Sequence, residues 1–112
     1  MQNSAHKTDC VFCKIVSGEI EAKKIYEDDD FIVIPDKFPT APIHLLVIPK
    51  RHYSKLNTLQ EDMGDFWSRV FAVANKVVKQ ENLWPNFKYL VNGPAFAHFN
   101  HEHLHIQAGF KS

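Results

Sequence analysis

The chain has 112 residues, of which 45% are hydrophobic, and its 13 basic and 13 acidic residues leave a formal net charge of zero. This length suits one domain, and the charge balance disfavours a general binder of nucleic acids or anionic membranes. No apolar run approaches the ~18 residues of a membrane span, and the N-terminus lacks a signal-peptide core. We therefore expect a cytoplasmic protein with a flexible tail over residues 1–8 and one domain over residues 9–112.

Two cysteines open the domain as Cys10-Val11-Phe12-Cys13. In a chain with no export signal, reduced thiols or metal ligands are favoured over a disulfide. Two thiolates alone cannot close a tetrahedral zinc site, which needs two more ligands from elsewhere in the chain. The apolar stretch from Phe12 to Val16 ends at Ser17-Gly18 and predicts a brief helix.

Four segments in the middle of the chain are predicted as strands because each is bounded by turn residues or prolines. They cover Lys24–Tyr26, Phe31–Ile34, His44–Pro49 and Phe87–Val91. The first two form a hairpin across an acidic turn. The third is a continuous apolar run, which indicates a central, buried strand.

A long amphipathic helix is predicted between the third and fourth strands. Thr58 and Glu61 have capping-box spacing, and apolar side chains then recur every three or four residues. These positions are Met63, Phe66, Trp67, Val70, Phe71, Ala74, Val77 and Val78. We expect the helix from Leu59 to about Gln80. The chain is thus predicted to be an α+β domain with about five strands, mostly antiparallel, one long helix and one short N-terminal helix.

The segment with the most specific chemistry is His101-Glu102-His103-Leu104-His105. In a strand, alternate side chains point to opposite faces, so three imidazoles would line one surface at roughly 6–7 Å spacing. Imidazole is both a nucleophile and a proton carrier near neutral pH. A metal-binding tract is the alternative, but the strict alternation of three histidines favours a catalytic row.

This segment resembles the signature of the histidine-triad (HIT) superfamily, and the resemblance extends from Cys10 to Gly109. The other matching blocks are Cys10–Ile15, Tyr26–Asp29, Ala41–His44, Val47–His52 and Val91-Asn92. The pattern is most similar to bacterial-type members of the Hint branch, which carry the Cys-x-x-Cys pair. The resemblance implies a HIT-like fold, a homodimer joined through the long helix and a sheet edge, and a purine nucleotide substrate. The implied reaction is hydrolysis at the α-phosphorus of nucleoside phosphoramidates, related adenylates or dinucleoside polyphosphates.

The resemblance also assigns roles to individual residues. It implies that His103 is the nucleophile and forms a nucleotidyl-histidine intermediate, flanked by His101 and His105, with His44 orienting the triad. Metal is not required for these steps, because backbone N–H groups and imidazoles meet the charge on phosphorus. The implied nucleotide-binding residues are Asp36 for the ribose, Asn92 for the phosphate, and Phe12, Ile15 and Ile34 for the base. Turn residues and ordinary core packing are the alternatives for these five.

The same resemblance implies a structural zinc held by Cys10, Cys13, His52 and His101. Two thiolates and two imidazoles make a closed tetrahedral set, with no open position for a catalytic water. The alternative is a pair of free thiols with His52 solvated at the surface.

The loop before the triad departs from the family pattern. Ala97 stands in the place of a glutamine, the stretch Gly93–Asn100 is shorter, and His98 falls where a serine or a similar phosphate-side donor lies. His98 would substitute as a donor or merely fill space. Fewer glycine N–H donors predict slow turnover or a shifted substrate preference. Two other functions therefore stay open: a nucleotide-binding regulator with little turnover, and a zinc hydrolase whose imidazoles hold a catalytic metal.

Overall fold

The computed structural model describes residues 9–97 and 99–110, so the predicted tail over residues 1–8 lies outside the described residues. One antiparallel sheet in the order β1-β2-β3-β5-β4 forms the centre of the domain. The strands are β1 (Tyr26–Glu27), β2 (Phe31–Pro35), β3 (Ile43–Pro49), β4 (Phe87–Leu90) and β5 (Leu104–Ala108). The helices are α1 (Val11–Ser17), α2 (Lys55–Gln60) and α3 (Phe66–Gln80), with a 3-10 turn at Pro94–Phe96. The predicted α+β class with a mostly antiparallel sheet is confirmed.

Alternation along the strands gives the sheet two apolar faces. The face covered by α3 carries Phe31, Val33, Leu45, Val47, Leu104, Ile106 and Ala108. The opposite face carries Ile32, Ile34, Leu46 and Ile48, which pack against Phe12 and Ile15 of α1. Because side chains alternate, the residues between the α3-facing positions of β5, His105 and Gln107, lie on the α1 side. In the register of β3 and β5, Leu46 is paired with His105 and His44 with Gln107.

The short N-terminal helix is confirmed, and the cysteine pair itself begins it. Cys10 is the N-cap, and its Sγ accepts a hydrogen bond from the Cys13 N–H at 3.5 Å. The helix ends at Gly18, whose φ of 89° is left-handed and favours glycine. Both cysteines are thereby held at the helix end that faces the His-rich segment.

The prediction of one helix from Leu59 to Gln80 is wrong at its start. Ser54, not Thr58, caps the first helical segment: its Oγ accepts the Asn57 N–H at 3.0 Å, while Asn57 Oδ1 accepts the Ser54 N–H at 3.2 Å. The chain then breaks between α2 and α3, where Gly64 has a φ of 56°. Leu59, expected to begin the long helix, instead lies near the end of α2 and is 81% exposed.

Strand ends differ from the sequence-based bounds by a few residues. The His-rich strand begins its ladder at Leu104, and His101 makes only an isolated bridge to Ser54. The first strand is shorter than predicted and covers Tyr26–Glu27. Within the part of the chain that the structure describes, no helix is long and apolar enough to cross a membrane.

Candidate functional site

His103 lies just before β5, on the α1 side of the sheet, and its ring has a defined hydrogen bond. Nδ1 lies 2.8 Å from the backbone carbonyl oxygen of His101. A carbonyl can only accept, so Nδ1 carries the proton and Nε2 keeps an unshared electron pair. Phe12 stacks edge-on against the ring with centroids 5.2 Å apart, and the His105 centroid is 4.9 Å away. Burial lowers the pKa of His103, which favours the neutral, nucleophilic form.

His44 and His105 are joined by a hydrogen bond beside His103. The Thr40 N–H donates to Nδ1 of His44 at 3.0 Å, so in the neutral ring the proton sits on Nε2. That Nε2 is 2.8 Å from Nδ1 of His105 and 3.2 Å from Oδ2 of Asp36. His105 therefore accepts at Nδ1 and has its own proton on Nε2. The Asn92 Nδ2 lies 3.3 Å from that nitrogen, so the amide has to turn to offer Oδ1 as the acceptor. This pair of hydrogen-bonded histidines presents the Nε2–H of His105 next to the lone pair on Nε2 of His103.

Asp36, His44 and His105 also meet the distance criterion for a metal site, because their ligand atoms lie within 4.8 Å of one another. The tautomer of His44 opposes that use. A metal on Nε2 would require the proton to sit on Nδ1, where the backbone N–H of Thr40 already donates. The contacts of this cluster thus favour proton positioning over metal binding.

The histidines open into a cavity of about 130 Å³. Five residues predicted from the sequence line this cavity: Asp36, His44, Asn92, His103 and His105. The rest of its lining is Thr40, Leu46 and Gln107, with Phe38, Leu90, Phe96, Ala97 and Phe99 at its apolar parts. Five sequence-predicted residues therefore converge on one space.

The predicted base-pocket residues do not line this cavity. Phe12, Ile15 and Ile34 are buried in the apolar cluster on the α1 face, and Ile15 borders a separate surface depression. Their role in base binding stays a prediction. His98 lies outside the described residues, so its proposed donor role also stays a prediction.

The four predicted metal ligands come together at the other end of the triad. Cys10, Cys13, His52 and His101 offer ligand atoms that all lie within 4.8 Å of one another. Nδ1 of His101 is 3.3 Å from Cys10 Sγ and 3.6 Å from Cys13 Sγ, and Nδ1 of His52 is 3.4 Å from Cys13 Sγ. Nε2 of His101 donates to the Pro49 carbonyl at 2.8 Å, so the lone pair on Nδ1 faces the thiols. These four residues could hold a metal ion, and the tautomer of His101 leaves its Nδ1 lone pair available to coordinate it.

Comparison with known proteins agrees with this geometry. The family model described as "Scavenger mRNA decapping enzyme C-term binding" matches residues 9–112. The solved structure of a histidine triad protein from Clostridium difficile superimposes with a TM-score of 0.86, at 37% identity over 96% of each chain. The chain belongs to the histidine-triad superfamily. A HIT family hydrolase from Legionella pneumophila is similar at 32% identity and a TM-score of 0.84, covering 92% of this chain and 95% of that one.

A plant relative extends the HIT comparison. Adenylylsulfatase HINT3 of Arabidopsis thaliana is 38% identical over 109 residues, which is 95% of this chain and 55% of that protein. The recognition of a HIT fold from the sequence is thus confirmed, and this chain is a member of a superfamily of nucleotide-binding hydrolases.

Sequence reasoning missed a buried polar network behind His103. Lys55 and Glu102 form an ion pair in which the two side chains are 2% and 5% exposed. Glu102 Oε2 also accepts the Thr58 hydroxyl at 2.6 Å, and Oε1 accepts the backbone N–H of His103 at 3.1 Å. The sequence did contain one signal of this network: Glu102 is a charged residue between two triad histidines, at a position that alternation places on the opposite face of the strand. Its lysine partner is 47 positions away and could not be paired with it from sequence.

Acid is expected to destabilise this HIT domain through His105. Burial, reinforced by the neighbouring His103 and His44, lowers the pKa of His105 from 6.5 to about 4. Between these values the unfolded chain binds more protons than the folded one, so stability is full above pH 6.5 and falls as the pH drops towards 4. Urea unfolding of the wild type and of His105→Gln across this range would measure the effect. The free energy of unfolding of the wild type should fall relative to that of the variant as the pH drops. If the two free energies change in parallel with pH, the prediction is wrong.

Proposed function

We propose that the protein hydrolyses nucleotides at the α-phosphorus through a covalent nucleotidyl intermediate on His103. The observation that carries the proposal is the hydrogen bond from Nδ1 of His103 to the His101 carbonyl, which leaves Nε2 as an unprotonated nitrogen at the cavity. Phosphorus is attacked by a lone pair, and a fixed tautomer provides that lone pair without a separate base. The substrates proposed are nucleoside phosphoramidates, related adenylates or dinucleoside polyphosphates.

The reaction has two steps that balance. The Nε2 lone pair of His103 forms a bond to the α-phosphorus while the bond from phosphorus to the leaving nitrogen or oxygen breaks with its electron pair, and the leaving group takes up a proton from solvent. Water then attacks the same phosphorus, the bond to Nε2 breaks with its electron pair returning to nitrogen, the attacking water gives up its proton to solvent, and a nucleoside monophosphate is released. The Nε2–H of His105, fixed by the hydrogen bond to His44, is positioned to donate to a phosphate oxygen in both steps.

The substrate class is supported by Asp36 and by the plant relative. The Asp36 side chain is 12% exposed, lines the cavity, and uses Oδ1 to accept the Phe38 N–H at 2.9 Å. A carboxylate offers about four acceptor sites, so sites remain for ribose hydroxyls. Because a relative is named adenylylsulfatase, we assign an adenylyl group to the nucleotide part.

Zinc is the metal that we propose for the four-ligand cluster. Two thiolates and two imidazoles are the ligand types and the number that a closed structural zinc site uses. Cys10, Cys13, His52 and His101 would hold it, and the zinc would supply a cross-link between α1 and the start of the triad. No step of the proposed reaction passes through it.

A homodimer is also proposed, with β4 and α3 at its interface. β4 is the last strand of the sheet order, and Phe71 on α3 and Leu90 on β4 are 40% and 41% exposed. Two other positions of the predicted stripe, Phe66 and Val78, are only 5% exposed and belong to the core of the single chain. Light scattering that gives a monomer mass at micromolar concentration would refute the dimer. Cytoplasmic location and the expected absence of nucleic-acid and membrane partners stay predictions.

A turnover assay tests the proposed function. Protein treated with a strong chelator and protein as purified are each given adenosine phosphoramidate, diadenosine polyphosphates or an adenylate, and AMP is measured. We expect release of AMP that is reduced but not abolished by chelation, because no metal takes part in the chemistry. Activity that is lost at once and restored by added zinc, with the thermal midpoint unchanged, would favour the zinc hydrolase instead.

The second candidate is a nucleotide-binding regulator with little turnover. The loop before the triad favours it, since Pro94–Phe96 forms a 3-10 turn and Phe96 is 82% exposed at the cavity mouth. Pro94 and the bulky Phe96 give this loop fewer freely oriented N–H donors than a glycine-rich one. Tight AMP binding without AMP release from any of the substrates would identify the regulator.

Asp36→Asn is expected to weaken AMP binding about 10-fold or more, because hydrogen bonds to a charged acceptor contribute roughly 1.5–3 kcal/mol. Titration calorimetry with AMP and with 2′,3′-dideoxy-AMP would measure it. The dideoxy nucleotide should bind the wild type and the variant alike, since it lacks the hydroxyls. Asp29→Asn, at an exposed position, is the matched control and should bind AMP as the wild type does. Equal weakening for both nucleotides would assign Asp36 a structural role.

A further inference from the structure

The backbone at Glu102 and His103 lies between two paired regions. The isolated bridge from His101 to Ser54 holds one side, and the β5 ladder begins at Leu104 on the other. In between, the Glu102 N–H donates to the Tyr53 carbonyl at 2.7 Å. The buried N–H of His103 donates to Glu102 Oε1 at 3.1 Å. The position of the proposed nucleophile therefore depends on a side-chain acceptor where a sheet would normally supply a carbonyl.

That acceptor is itself held by two side chains of α2. Lys55 pairs with Oε1, and the Thr58 hydroxyl donates to Oε2 at 2.6 Å. The Lys55 backbone N–H donates to the Asn100 carbonyl at 3.1 Å, which anchors the start of α2 to the segment before the triad. Both charged residues are 4% exposed, so the carboxylate has little freedom to move away.

Stability does not explain a buried pair of this kind. Removing two charges from water costs several kcal/mol per ion, and replacing such pairs by apolar residues of similar volume is often neutral or stabilising. The carboxylate that Lys55 and Thr58 hold instead accepts a hydrogen bond from the backbone of the adjacent residue, His103. The His101 carbonyl that orients the His103 ring belongs to the same short segment.

We propose that Lys55, Glu102 and Thr58 are positioning residues that fix His103 for attack on phosphorus. Glu102 substitutes for a missing strand partner, and Lys55 and Thr58 hold its carboxylate in place. This inference rests on the proposed function for its kinetic consequence, but the orientation of the His103 ring can be measured without any substrate.

Two double variants separate positioning from charge. Lys55→Met/Glu102→Gln and Lys55→Met/Glu102→Leu both remove the ion pair, and neither leaves a buried charge unpaired. Only glutamine keeps a side-chain oxygen that can accept the His103 N–H, and its amide can donate to Thr58 Oγ1. The two variants therefore differ in whether residue 102 keeps its polar contacts with the His103 N–H and with Thr58, and neither depends on a single substitution that leaves a buried charge unpaired.

We expect the leucine variant to have a kcat lower than the glutamine variant by roughly 10–100-fold, the usual effect of losing a residue that orients a site, with KM changed by less than about twofold. Its thermal midpoint should lie below that of the glutamine variant, because the buried His103 N–H then has no acceptor, so kcat is compared at a temperature at which both variants are folded. In ¹⁵N NMR spectra, the wild type and the glutamine variant should show one His103 ring tautomer with the proton on Nδ1, and the leucine variant a mixture.

Equal kcat values and identical His103 spectra for the two doubles would overturn the proposal. A leucine variant that is less stable but has normal kcat and one tautomer would show a purely structural role, and would overturn it as well. If the wild type turns over none of the substrates, the proposed function fails, and the NMR comparison alone decides the positioning role.

Discussion

His103→Ala is expected to lower kcat for AMP release by roughly 10⁴–10⁶-fold, the range seen when the reacting residues of a covalent enzyme are removed. The reason is chemical, because the variant has no nitrogen to bond to phosphorus. The loss should leave AMP binding largely intact, since Asp36 and His105 still line the cavity. Steady-state kinetics and titration calorimetry would measure the two quantities separately.

The covalent intermediate is tested by its trapping and by a matched variant. On rapid mixing of the wild type with substrate, mass spectrometry should detect one added nucleotidyl group, on a peptide that contains His103. His105→Ala keeps the nucleophile and loses a donor, so its kcat should fall by the smaller factor of about 10²–10³, and its adduct should remain detectable. Turnover by His103→Ala within tenfold of the wild type would exclude covalent catalysis at this residue.

The sheet and the location of the site were predictable because local patterns determine them. Period-two alternation in β2 and β3 assigns alternate apolar residues to two faces, and the same alternation places His105 opposite to Leu104 and Ile106. The Cys-x-x-Cys pair needed two more residues to complete a metal site, and the family pattern pointed to two histidines that the structure brings next to the cysteines. In each case the information lies within a few residues or in a motif.

Features that depend on distant partners were not predictable in the same way. Thr58 has the sequence of a helix cap, yet its hydroxyl donates to Glu102, 44 positions away, while Ser54 caps the helix. Local propensity favoured one long helix, and the break at Gly64 was not anticipated although glycine is a poor helix former. The Lys55–Glu102 pair forms only when folding brings α2 next to the triad, so no local sequence pattern predicts it.

Removal of the proposed zinc is expected to have the second large effect. Cys13→Ser replaces a fully buried sulfur that lies 3.4 Å from His52 and 3.6 Å from His101. With the metal gone, α1 loses its cross-link to the triad, and we expect the thermal midpoint to fall by roughly 10 °C or more, as a loss of 2–3 kcal/mol does in a domain of this size. Differential scanning calorimetry and metal analysis of protein purified without chelator would measure this.

The control for Cys13→Ser is the wild type stripped of metal, which should unfold at a similar temperature. A chelator should not lower the thermal midpoint of the variant further.

Because the His101 carbonyl accepts the Nδ1 proton of His103 at 2.8 Å, freeing the His101 ring should also allow that carbonyl to move. Partial loss of kcat should therefore accompany the loss of stability, even though the zinc takes no part in the chemistry. Wild-type protein with well under one zinc per chain and a midpoint insensitive to chelator would leave the four residues as a structural cluster of thiols and imidazoles. In that case the orientation of His103 would depend on the His101 backbone and the Glu102 contact alone.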